Sequence, residues 1–255
     1  MSEVVAGAWQ SAVRLAFGLG VLAFIGGMMA PAPSARPAST VQPPAPFDRL
    51  ARMQVESQLF ERASDKARLA VDLQGRALTD GGLELERTSL RRFQTGAEDR
   101  LSLTARGPRA RALLRASRAR TAGTGHSVEL LRGTPLGFEL AGTDGPRRLY
   151  EPGCLLPGQV LLALRLGAFG ESATTLRVIT GLDAPSRAAT LTPTGESLRP
   201  GPKGASVKAR EWTLSAGGET LWIAAIELGG ERRCLRLEDP TGVWTLVRSG
   251  WAARR

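Results

Sequence analysis

Between Asp99 and Glu129 the chain carries no acidic residue, yet Arg100, Arg106, Arg109, Arg111, Arg115, Arg118 and Arg120 all fall there. Guanidinium groups at this density recognise phosphates, carboxylates and anionic lipid headgroups through forked, charge-assisted hydrogen bonds. Leu113 and Leu114 add an apolar grip within a stretch that reads as a basic loop or helix. It holds no aromatic residue for stacking on bases, so nucleic acid is not the expected partner. Arg106, Arg109, Arg111, Arg115, Arg118 and Arg120 are the candidate contacts for a protein partner or an anionic surface.

The other reactive residue types do not assemble into a catalytic set. His126 is the single histidine. A general base needs a nucleophile and an orienting group beside it, and no Gly-x-Ser-x-Gly elbow is present. Zinc needs about four ligands, more than one histidine and two scattered cysteines provide. The cluster Gly123-Thr124-Gly125 lacks the Gly-Lys-Ser/Thr of a phosphate loop and reads as a turn. Asp72, Asp80, Asp144, Asp183 and Asp239 sit at turn-like places, where aspartate bonds its own backbone. No catalytic, cofactor or metal residue is assigned, and an enzyme is not expected. Cys154 and Cys234 form either a long-loop disulfide, adding about 2–4 kcal/mol, or two separate buried thiols. Trp212 and Trp222 suit a core and Trp251 an exposed anchor.

The elements that must hold these groups begin with residues 15–30, an uncharged apolar run after Arg14 and before Pro31. Sixteen helical residues span about 24 Å, and snorkelling of Arg14 extends this toward the hydrocarbon thickness. Trp9 then falls at the interface, while Gly18, Gly20, Gly26 and Gly27 leave flat faces for packing on other helices. Residues 1–30 therefore read as a tail and retained transmembrane anchor, with a cleaved signal peptide as the competing reading. The arginine placement leans toward a cytoplasmic N-terminus, an inner-membrane location and an exported C-terminal domain.

Residues 31–46 hold six prolines and read as a semi-rigid spacer. Residues 47–72 read as an amphipathic helix, with Phe47, Leu50, Met53, Leu59, Phe60, Ala63 and Ala67 near one stripe. Residues 73–255 turn to period two. Short runs at 83–90, 100–105, 126–132, 136–141, 159–167 and 174–180 read as strands, and 206–249 as a four-stranded antiparallel meander. The expected fold class is mainly β: a β-sandwich or partly open barrel behind one membrane helix, a tether and one amphipathic helix.

The net charge of +10 carries its own reservation. Only Lys66, Lys203 and Lys208 among the 34 basic residues are lysine, and asparagine is missing, a bias that a GC-rich genome imposes everywhere. Minor pilins share the layout of an apolar helix before β structure, but their processing motif and unbroken helix are not found here. In layout alone the chain resembles TonB-like and secretion-system inner-membrane proteins, a likeness that names no activity. The resulting expectation is a non-enzymatic, single-pass accessory or scaffold subunit of a bacterial membrane complex, secretory, respiratory or photosynthetic. Its partners would be other subunits and the bilayer, with anionic headgroups possible. The alternative is an envelope domain that binds polyanions, lipid headgroups or another ligand through the Arg-rich segment at 100–120.

Overall fold

The computed structural model describes residues 49–79, 83–107, 112–134, 137–142, 148–180, 184–201 and 204–253. The anchor, with Trp9, Arg14, Gly18, Gly20, Gly26 and Gly27, and the tether lie outside the described residues. Among those that are described, no helix is long and apolar enough to cross a membrane.

The described chain is mainly antiparallel β, in one continuous sheet rather than two stacked ones. Its strands are β1 (Gln54–Arg62), β2 (Arg68–Ala77), β3 (Leu83–Arg92), β4 (Glu98–Arg106), β5 (Ala112–Ala122), β6 (Gly125–Thr134), β7 (Gly137–Gly142), β8 (Arg148–Tyr150), β9 (Thr174–Ile179), β10 (Ser186–Pro200), β11 (Ser206–Ala216), β12 (Glu219–Glu227), β13 (Cys234–Asp239) and β14 (Gly242–Ala253). Each strand from β1 to β8 pairs with the next, as does each from β9 to β14. The two meanders join where β1 lies antiparallel to β14, from Gln54 opposite Ala253 to Arg62 opposite Trp244. This leaves edges only at β8 and β9. The segment after β8 reaches β9: Leu155 bridges Val178 in parallel, its N–H donating to Arg177 O and its carbonyl accepting from Ile179 N, both at 2.9 Å.

Between β8 and β9 runs α1 (Pro157–Arg165), the element around which the sheet curls. Gln159 through Arg165 are all buried. Val160, Leu161, Ala163 and Leu164 join one core cluster with Trp212, Trp222 and Trp244. Leu162, with the flanking Leu156 and Leu166, joins a second with Leu85, Leu103 and Leu131. A helix that is apolar all round belongs inside a core. The reading of 159–167 as a strand is thereby corrected. Such a short apolar run fits a buried helix as well as a strand, and Pro157 at the first helical position was the clue to a helix.

The amphipathic helix expected at 47–72 is also corrected: the segment is mostly the β1–β2 hairpin. Among its described residues only 49–51 are helical. Its alternation is hidden because two polar residues, Glu56 and Gln58, occupy the inward face of β1 ahead of Phe60. The expected 206–249 meander is present as β11 to β14, and the apolar β12 lies between two neighbours. The basic stretch is neither loop nor helix where it is described. It forms the end of β4 and the whole of β5.

Glu56 is buried because α1 ends against it. Arg165 Nη2 donates to both Glu56 oxygens at 2.8 Å, and Gln58 Nε2 donates to Oε1 at 3.0 Å. Arg232 donates from Nε to Arg165 O at 2.8 Å and from Nη2 to Leu164 O at 3.0 Å, covering carbonyls of the last helical turn. Removing one member of a buried ion pair strands the other. Arg165→Met is expected to lower unfolding free energy by about 3–5 kcal/mol in urea titrations, while adding Glu56→Leu restores much of it. Equal, additive losses in the two single variants would show that the pair is not coupled.

Candidate functional site

The opposite end of α1 meets a cavity of about 310 Å³. One wall is apolar, built from Leu69, Leu101, Leu161, Leu221, Trp222 and Leu237. The other is charged, and strand periodicity explains it. On β3 the inward positions after Leu83 and Leu85 are Arg87, Ser89 and Arg91. On β4 they are Asp99 and Leu101, and on β5 Arg118 follows the buried Ala116 by two residues. Asp239, at the end of β13, faces them.

Two of the three arginines are matched. Arg118 donates to Asp99 from Nε at 2.9 Å and from Nη2 at 2.6 Å. Burial works against the Asp99 carboxylate, but the Arg118 hydrogen bonds and charge hold its pKa below the ordinary value. Arg91 pairs with Asp239, reaches Thr241 Oγ1 at 3.3 Å, and lies 5.7 Å from the Trp244 ring centre. Arg87 is different. It is 8% exposed and has no hydrogen-bond or ion-pair partner among the described residues. Burial first, then the charges of Arg165 and Arg91, push its pKa down to about 10, so it stays cationic at neutral pH.

Helix α1 presents its first turn to the same space through Pro157 and Gly158. A Cβ on Gly158 would lie 3.0 Å from Arg87 Nη1, so glycine is what lets the guanidinium reach the helix end. Pro157 has no N–H, and those of Gln159 and Val160 both donate to Leu156 O. Trp222 Nε1 donates to Pro157 O at 3.2 Å, tying the cavity's aromatic wall to this turn.

The residues singled out by sequence divide. Of the described members of the arginine set, only Arg118 lines the cavity. Arg115 is exposed, with Nε donating to Thr104 Oγ1 at 3.1 Å, and Arg120 and Arg106 are exposed as well. Arg109 and Arg111 lie outside the described residues. His126 is exposed at the start of β6, its Nδ1 3.2 Å from Thr121 Oγ1, away from the cavity lining. Cys154 and Cys234 are not bonded to each other. Both are buried free thiols belonging to different core clusters, and burial pushes Cys234 up to about 12, making it an inert thiol. Trp212 and Trp222 are core residues as expected. Trp251 is half-buried under Arg49, whose guanidinium carbon stands 5.4 Å from its ring centre, and is not an exposed anchor. Sequence reasoning missed Arg87 and Asp99. The signal was available in LELERTSL, where an arginine takes an inward position of a period-two strand.

No family model and no curated protein matches the chain. Among solved structures it is similar to a β-barrel-like protein of the domain of unknown function DUF1849 from Brucella abortus, at 6% identity and a TM-score of 0.47, covering 79% of this chain and 99% of that one.

The Asp99 carboxylate predicts an acid dependence. A folded pKa below the unfolded value near 3.9 gives stability that is full above the unfolded value and is lost as pH falls through the folded one. Asp99→Asn should therefore flatten the decline in stability below about pH 4, as read by denaturant midpoints across pH. An unchanged slope would remove Asp99 from the acid response.

Proposed function

We propose that this chain is a non-enzymatic binding protein, tethered at a bacterial inner membrane, whose β domain takes a small amphiphilic ligand between its rolled sheet and the first turn of α1. The observation that carries this reading is the cavity of about 310 Å³, apolar on one wall and arginine-lined on the other. Pockets that bind small molecules have this make-up: mostly apolar lining, with few polar groups that fix orientation. Its size is near the lower end of their range. The apolar run at 15–30 and the proline-rich tether supply the location, with the β domain on the exported side. The Arg-rich segment contributes through Arg118, a narrower role than a whole basic face.

A second reading keeps the chain as a scaffold subunit of a larger membrane complex. What favours it is the outer face of β5 and β6, where exposed Arg115 and Arg132 pair across the strands and share their face with exposed Val128. Arginine beside apolar area is the composition of a protein interface.

The cavity reading is tested with 1-octanol and the full chain in phosphatidylcholine nanodiscs, by calorimetric titration against empty discs. Saturable one-to-one binding is expected, reduced at least tenfold in Leu221→Trp, which fills the cavity. Binding that ignores the filled cavity would place the ligand elsewhere. For the scaffold reading, mild detergent extraction should recover stable membrane companions, lost on Arg115→Glu/Arg132→Glu. A lone monomer in native mass spectrometry would contradict it.

A further inference from the structure

Arg87 is a buried cation with no hydrogen-bond or ion-pair partner among the described residues, on the inward face of β3 where its neighbours along the strand are Leu85 and Ser89. The cavity lining counts three arginines, Arg87, Arg91 and Arg118, against two aspartates, Asp99 and Asp239, which leaves one positive charge. The two pairs Arg91–Asp239 and Arg118–Asp99 are closed, so that charge belongs to Arg87.

Its position sharpens the point. The amino end of a helix carries partial positive charge and attracts anions, so a cation placed there is on the wrong side. At the carboxyl end the rule is followed: Arg232 covers the Leu164 and Arg165 carbonyls. At the amino end Arg87 Nη1 comes against Gly158, and the cation and the helix end both line the cavity. Among the described hydrogen bonds none uses the Gly158 N–H, which leaves that donor beside the guanidinium.

We infer that the cavity's ligand carries a single negative charge, and that Arg87 with the Gly158 amide at the amino end of α1 is the subsite that takes it. The ligand class is a monoanionic head, carboxylate or phosphodiester, on an apolar body lying along Leu161, Leu221, Trp222 and Leu237. A forked guanidinium gives such a head two parallel hydrogen bonds, and the dry apolar wall strengthens them. The inference rests on the cavity reading and adds the head group to it.

The test titrates sodium octanoate, 1-octanol and sodium acetate into the full chain in phosphatidylcholine nanodiscs, with empty discs as blanks. Octanoate is expected to bind at least about tenfold more tightly than octanol, and acetate far more weakly than either. Arg87→Met should bring octanoate down to the octanol level and leave octanol unchanged. It should also melt no lower than the parent without ligand, because it removes a buried unpaired charge. Arg87→Lys, which keeps the charge and loses the fork, should fall between the two. Repeating the octanoate titration in discs containing phosphatidylglycerol identifies the source: competition assigns the head to a phospholipid and undiminished binding to a soluble acid, and either supports the inference. Equal binding of octanoate and octanol, or octanoate binding unaffected by Arg87→Met, would overturn the anion subsite while leaving the cavity reading intact. Acetate binding as tight as octanoate would overturn the apolar body. No binding of octanoate or octanol would overturn the cavity reading itself.

Discussion

Helix α1 is buried from Gln159 to Arg165, and side chains from the surrounding sheet and its loops meet its last turn. Its last carbonyls are covered by Arg232, and its Arg165 is neutralised by Glu56 from β1. That requirement reaches far along the chain. Glu56 and Gln58 face inward because Arg165 needs them, so β1 reads as something other than a strand. The pairing of β1 with β14 holds the first meander to the last, and the Leu155–Val178 bridge ties the segment before α1 to β9.

The first turn of the helix is treated differently, and that difference gives the molecule its cavity. Leu156 donates its N–H to Gln159 Oε1 at 3.3 Å, a cap made by the helix on itself. Beyond that turn the sheet supplies Arg87 where an acid would be the electrostatic complement. Arg91 and Arg118 are each locked to an aspartate, which fixes the cavity wall. Around Trp244, Arg62 and Arg91 lie 5.1 and 5.7 Å from the ring centre, joining the wall to the β13–β14 corner. An unpaired buried charge costs stability, and proteins accept that cost where a ligand is bound.

The sequence was most legible where one face is apolar and the other wet. In β3 and in β11 to β14 the alternation and the glycine turns speak for themselves. It was least legible where the inward face is polar or the segment is apolar throughout. Glu56 and Gln58 disguised β1, and QVLLALR offers no face by which to tell a buried helix from a strand. The arginine cluster drew attention by charge density, which marks exposed residues such as Arg115 and Arg120 as readily as working ones. What distinguishes Arg87 is burial without a partner, a property of three-dimensional neighbours: Gly158 comes from a segment about 70 residues away.

The account stands on Arg87 as the group that receives a negative head beside the amino end of α1. A crystal structure of the protein with 8-bromooctanoate tests this most directly, since bromine locates the tail by anomalous scattering. The account predicts a carboxylate within hydrogen-bond distance of Arg87 and bromine against Leu161, Leu221 or Leu237. A carboxylate on Arg115 or Arg132, with bromine outside the sheet, would contradict it.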